Sequence, residues 1–294
     1  MLLFTITLLS AISVRVHSQG IPTSSGAATE KGDAGTYSIE EWQKKGHDLG
    51  TTVSKVPSNL DIIQMAKKVL NMSCSPMYPL CDPSSTKMTK VPPPIFNTTF
   101  DTSEGKFTIH VNTSWSPHAA SRFYNLVSNG WYNNTYFFRV IKSFVNEFGL
   151  SGNPLLQQHY CNDVNCTSDA LFSGAAIEQD TGPLVGDGNV RGTVAFSLMS
   201  SGGNASVEIF INLNNNQHLN ADGFRPFGIV IENGMNVVDM LYSGYGELNE
   251  PDLCPDPTIK LCKGPVLKTI LKEGNQYLKT RFPKMSKINF AWVI

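Results

Sequence analysis

Alternation of apolar and polar positions dominates the middle of this chain. Phe107, Ile109 and Val111 alternate with Thr108, His110 and Asn112. That is the period of a strand with one buried face. Thr98–Thr102 precedes it across Ser103-Glu104-Gly105, so the two segments predict a hairpin. His110 falls on the polar face, where plain solvation is the simplest reading. Further strands are predicted at Gly192–Met199, Glu208–Leu213 and Phe227–Ile231, with Ser200–Asn204 as a flexible turn. Ile288, Phe290 and Trp292 alternate as a last strand. Helical spacing occurs in fewer places. Pro117 opens a helix with Ala120, Phe123, Tyr124 and Val127 on one face, closed by Gly130. Met235–Tyr242 gives a second. Many short strands and few helices indicate an antiparallel barrel.

Upstream the pattern changes. Met1–Ser18 has a short apolar core followed by Val16-His17-Ser18, and reads as a secretory signal. Gln19 to about Gly35, rich in Gly, Ser, Thr and Ala, is expected to lack a core. A short helix is predicted from Ser38 to Lys45. A better one starts at Ser58, with Ile62, Ile63, Ala66, Val69 and Leu70 on one face. Pro92-Pro93-Pro94 is a stiff spacer. The expected organisation is therefore 1–18 signal, 19–92 partly disordered and partly helical extension, 93–248 barrel and 249–294 C-terminal extension.

Composition narrows the function. Lys and Arg number 23 against 24 for Asp and Glu, which leaves no basic field for nucleic acid and no polybasic patch for a membrane. Six cysteines fall in three close pairs, Cys74 with Cys81, Cys161 with Cys166 and Cys254 with Cys262. In a secreted chain these suggest disulfides; six cysteines allow fifteen connectivities, of which proximity favours the local one. The competing zinc reading lacks a Cys-x-x-Cys pair or clustered histidines. Glycosylation triplets stand at Asn71, Asn97, Asn112, Asn133, Asn165 and Asn204. The last residues, Ala291–Ile294, carry no lumenal retention signal. The expected location is the secretory pathway, either exported or in the lumen of an endomembrane compartment.

One segment breaks the apolar pattern with a charge. In Phe137–Phe144, Arg139 sits amid aromatic and β-branched residues. The plain reading is a strand-end arginine paired with a carboxylate, since charges are rarely buried alone. Its surroundings add to that. Phe137, Arg139, Val140, Ile141 and Phe144 fit a Phe-x-Arg-Val-Ile-x-x-Phe motif, followed by Phe144–Gly149, Val207–Asn212 and Asp222–Gly228. From about Phe96 to Glu247 the order and spacing of these blocks resemble the cyclophilin family of peptidyl-prolyl cis-trans isomerases. Leu150–Asp187 departs most from it.

The resemblance implies an eight-stranded antiparallel closed barrel with a helix covering each end. It also implies a mechanism. Amide resonance sets a barrier of about 18–20 kcal/mol to X-Pro rotation. A catalyst must favour the twisted bond, which needs an apolar slot for the ring and a fixed donor to the exposed nitrogen lone pair. Cofactors, metals and nucleophiles are not required. By resemblance Arg139 is the donor, and Phe144, Val145, Phe210 and Leu219 correspond to the slot. His218 and Phe224 take variable flanking positions, and Ser200 falls where a backbone group pairs with substrate. Glu147 and Glu208 replace glutamines of the family. At Glu147 a carboxylate would form a charge-assisted pair with Arg139 and partly neutralise it. The implied partners are proline-containing polypeptides, with a cyclosporin-like ligand by family resemblance. The alternatives are a proline-peptide-binding module with little or no activity and an extracellular glycoprotein using the fold as a scaffold.

Overall fold

The computed structural model describes residues 78–161, 175–198, 205–250, 253 and 262–294. The described residues belong to one compact unit, within Lys67–Ile294. The predicted signal, the helices of the N-terminal extension and the 200–204 turn lie outside the described residues.

The predicted hairpin forms as β1 (Ile95–Thr102) and β2 (Gly105–Asn112), joined at Ser103-Glu104. Gly105 follows at φ +129°, a conformation open to glycine. Phe107, Ile109 and Val111 are buried, as the alternation requires. His110 is more than solvated: its Nδ1 lies 2.8 Å from Asn97 Oδ1 on the adjacent strand. Then come α1 (Pro117–Ser128), β3 (Thr135–Tyr136), β4 (Arg139–Val140), β5 (Val145–Phe148) and the single-turn α2 (Pro154–Gln157). β6 (Thr193–Phe196), β7 (Ile209–Asn212), β8 (Pro226–Ile231) and α3 (Gly234–Met240) follow. The chain ends with α4 (Leu267–Glu273), α5 (Asn275–Arg281) and β9 (Lys287–Val293). Among the described residues no helix is long and apolar enough to cross a membrane.

Among the described residues the strands join one antiparallel sheet in the order β3-β9-β1-β2-β8-β6-β7-β5-β4. Its two ends, β3 and β4, are separated in sequence only by Phe137 and Phe138. The single segment from Thr135 to Val140 thus spans the seam, pairing with β9 at its start and β5 at its end. Counted as one strand, it makes the curled sheet an eight-stranded barrel. Inside, Phe100 stacks on Phe107 at 5.1 Å, Phe123 meets Phe227 at 4.8 Å and Phe137 meets Phe148 at 4.9 Å. α1 supplies Phe123, and α3 packs on β2 and β8.

Three boundaries differ from expectation. The barrel does not stop near residue 248, because β9, from the expected extension, pairs with β1 and completes it. The regular alternation expected over Ile288, Phe290 and Trp292 is broken by a bulge: Asp101 pairs with Phe290 but Thr102 with Ile288. The extra residue, Asn289, flips the pattern, so Ile288 and Ala291 point inward and Phe290 is 60% exposed. Nor does Pro92–Pro94 separate two bodies. Met88 is buried in the core, and the Lys90 backbone exchanges hydrogen bonds with the Asn125 side chain of α1. The second predicted helix, Met235–Tyr242, is shorter because Leu241 leaves helical geometry at ψ 135°.

Candidate active site

The predicted arginine strand is only two residues long. After Val140 the chain turns through Ile141–Phe144, with Ser143 at φ +59°, and returns as β5. The resulting register sets the site. Arg139 lies opposite Glu147, Glu147 opposite Phe210, and Phe210 opposite Ala195. Residues in lateral register share a face, so these four side chains cross β4, β5, β7 and β6 in a row. Phe148, one residue on, points into the barrel and packs on Phe100 and Phe137. The row therefore occupies the outer face.

Beside Arg139 the outer face carries an apolar cluster separate from the barrel core. Val145, Ala195, Phe210 and Leu219 form it, with Phe144 and Phe224 packed against them. Val145 and Phe210 are each 3% exposed and make a floor. Half-buried Phe144 and Phe224 make the rim, Phe224 edge-on to Phe210 at 5.5 Å. His218 is exposed and stacks on Phe144 at 6.0 Å. Phe144, Val145, Glu147, Glu208, Phe210, His218, Leu219, Phe224 and Arg139 are thus gathered on one side of the barrel. Ser200 lies outside the described residues.

Both rims hang on buried amides that the sequence reading passed over. Asn216 Nδ2 donates to the Phe144 carbonyl and to Asn212 Oδ1, each at 2.8 Å. Asn189 Nδ2 donates to the Phe224 carbonyl and to Asn220 Oδ1, each at 2.9 Å. A run of asparagines reads as loop in sequence; here it ties the slot to β6 and β7.

The guanidinium is held more tightly than expected. Its side chain is 15% exposed. Nη1 donates to Glu147 Oε2 at 2.9 Å. Nε and Nη2 donate to Glu247 Oε1 and Oε2 at 2.6 and 2.8 Å, a bidentate fork. Three of the five N–H donors are so engaged, leaving one on each Nη. Burial opposes the charge, but Glu147 and Glu247 outweigh it and raise the arginine's pKa above its ordinary value. Arg139 is therefore always charged. The other Glu147 oxygen accepts from Ser197 Oγ at 2.5 Å. Lys142 is exposed, and the ion pairs of both carboxylates go to Arg139. Glu247 had no role in the sequence reading, because nothing there brings a loop residue 108 positions away to Arg139.

Glu208 is buried two residues before Phe210, with Oε1 lacking a hydrogen bond. Burial raises its pKa well above the ordinary carboxyl range; Glu147 adds to the rise and Arg139 opposes it. The folded protein therefore holds a proton here that the unfolded chain gives up. Stability is fully present below the unfolded pKa of about 4.3 and falls as pH rises towards the folded value. The Glu208→Gln variant is expected to flatten this decline, seen as a urea midpoint varying less from pH 4 upward than in the wild type.

Residues 97–263 match the family model for cyclophilin type peptidyl-prolyl cis-trans isomerases. A peptidyl-prolyl cis-trans isomerase of Acinetobacter baylyi is 32% identical over 144 residues, covering 48% of this chain and 68% of that protein. Peptidyl-prolyl cis-trans isomerase B of Escherichia coli is 29% identical over 150 residues, covering 49% and 82%. The crystal structure of a Cryptosporidium parvum cyclophilin type isomerase covers 68% of this chain and 98% of its own, with a TM-score of 0.43 and 16% identity. The chain belongs to the cyclophilin-type peptidyl-prolyl cis-trans isomerase family.

Proposed function

We propose that this protein isomerises X-Pro bonds of secretory-pathway or extracellular polypeptides, with Arg139 as the donor to the twisted amide nitrogen. The observation that carries the reading is the row Arg139-Glu147-Phe210-Ala195 beside a separate apolar cluster. An apolar floor receives the pyrrolidine ring. A directional cation next to it favours the rotated bond over the planar one, and catalysis requires that difference. No group on the protein needs to gain or lose a proton. The test is isomerisation of Ala-Pro peptides by the wild type and by Arg139→Ala. Catalysis by the wild type that the substitution abolishes supports the reading.

The second reading is a proline-peptide-binding module of low activity, with a cyclosporin-like ligand as a further occupant by family resemblance. The observation favouring it is the neutralisation of Arg139, whose single cation is ion-paired with two carboxylates, Glu147 and Glu247. The site is then more acidic than a glutamine-containing one and favours peptides with basic residues. Glu147→Gln is expected to raise kcat on a neutral peptide and reduce the preference for a lysine-containing one. Equal turnover of the two enzymes on the neutral peptide would sink the effect assigned to Glu147.

The secretory assignment rests on the Met1–Ser18 segment, the cysteines and the glycosylation triplets. None of the described cysteines, Cys81, Cys161 and Cys262, is a free thiol, which supports disulfide bonding as such. Their proposed partners Cys74, Cys166 and Cys254 lie outside the described residues, as do Asn71, Asn165 and Asn204. Asn97, Asn112 and Asn133 each use the side-chain oxygen, accepting from or facing His110, Ser114 and Ala291. That arrangement leaves the amide nitrogen for a glycan.

A further inference from the structure

Glu247 reaches Arg139 from outside the barrel sheet, on the loop that follows α3. Its place is fixed by backbone rather than by neighbouring side chains. The Leu248 amide donates to Glu247 Oε1 at 2.8 Å. The Gly264 amide donates to the Glu247 carbonyl at 2.8 Å, and the Lys263 amide to the Tyr245 carbonyl at 3.1 Å. Gly246 also pairs with Cys262 as an isolated bridge. The two loops approach so closely that a Cβ on Gly264 would lie 2.3 Å from the Glu247 carbonyl oxygen. Segment 262–264 thus acts as a staple behind the carboxylate.

The two carboxylates constrain the guanidinium differently. Glu147 touches one nitrogen, Nη1, and a single contact leaves the plane free to turn about it. Glu247 takes Nε and Nη2 together, and a two-point fork fixes the plane. Only a fixed plane keeps the remaining Nη hydrogens in one direction while the prolyl bond rotates. A small error in that direction is costly, because the donor must meet a lone pair that exists only near the top of the barrier.

We infer that Glu247 is the positioning residue of this isomerase, setting the plane of Arg139 through a fork anchored by the 262–264 segment. The inference rests on the reading of Arg139 as the donor. It assigns Glu247 an effect on turnover and none on holding the peptide, because the apolar floor is built from other strands.

The test measures kcat for an Ala-Pro peptide by exchange spectroscopy and Kd for the same peptide by calorimetry. Glu247→Ala is expected to lower kcat about tenfold or more while Kd stays within twofold. Glu247→Gln keeps one acceptor oxygen and is expected to fall between Ala and wild type. Gly264→Ala, which pushes the staple against the Glu247 carbonyl without altering any side chain at the site, is expected to lower kcat in the same way. Thermal unfolding of each variant establishes that it is folded. If Arg139→Ala retains wild-type turnover, the donor reading falls. If Arg139→Ala is inactive but folded Glu247→Ala and Glu247→Gln match or exceed wild-type kcat, the positioning role is overturned and the fork is a brake. A rise in Kd equal to the loss in kcat/KM also overturns it.

Discussion

Replacing Arg139 by alanine is expected to reduce kcat for X-Pro isomerisation by about 10²–10³-fold, the cost of losing one preorganised donor in a shielded site. The measurement is exchange spectroscopy on a short Ala-Pro peptide at saturating concentration. The shielding matters to the size of the effect. Arg139 is mostly buried, beside the ring of Phe144 at 5.7 Å, so its N–H groups act through poorly screened surroundings. Lysine is not expected to rescue activity, since an ammonium is a point charge without the planar fork that Glu247 grips. Arg139→Ala has a second consequence. It leaves Glu147 and Glu247 without their cation, so the variant loses stability through like-charge contact. The triple variant Arg139→Ala, Glu147→Gln, Glu247→Gln removes that burden. It is expected to recover stability while remaining inactive, which separates the lost donor from a damaged fold. Recovery of turnover in the triple variant would mean that the arginine serves the fold and not the reaction.

Whether Arg139 is a structural or a catalytic arginine could not be decided from its own segment. A strand-end arginine beside a carboxylate and a catalytic one read alike, and the structure shows the ion pair that the plain reading requires. What favours the catalytic reading is the neighbour across the sheet. Phe210, 71 positions from Arg139 in sequence, lies two strands away in the same row. The alternation of β2, the aromatic run around Arg139 and the Val207–Asn212 block were legible because each obeys a local period. The features that escaped notice are set by tertiary contact. Glu247 sits in a loop with no period, hydrogen-bonded to segment 262–264, which is distant in sequence from Arg139. The amides of Asn189 and Asn216 look like loop composition until their carbonyl partners come into view. β9 hides its inward face because Asn289 bulges and breaks the count of two. The proline run is stiff, but stiffness alone does not mark a boundary when Met88 before it is buried in the core.

Phe148→Ala is expected to cost about 3–5 kcal/mol of stability, the usual range for emptying a large aromatic site in a core. For a folded unit of this size that corresponds to a fall of roughly 6–20 °C in Tm, read by differential scanning calorimetry. Phe148 is fully buried and meets Phe137 at 4.9 Å, Phe100 at 5.7 Å and Tyr132 at 5.9 Å. The partners lie on separate segments, Phe100 in β1, Tyr132 in the turn after α1 and Phe137 between β3 and β4, so the hole cannot close by moving one of them. Its sequence neighbour Glu147 stands on the opposite face of β5, holding Arg139 and Ser197. The same strand therefore carries the core on one side and the charged row on the other. Loosening the core side is expected to lower kcat as well, by less than the Arg139 substitution, because Glu247 still fixes the guanidinium from a separate loop. Phe148→Leu, which fills most of the volume, should recover much of both losses. If Phe148→Ala lowered Tm as expected but left kcat unchanged at a temperature where it is folded, β5 would not transmit core packing to the site. The position of Arg139 would then be set by Glu247 alone.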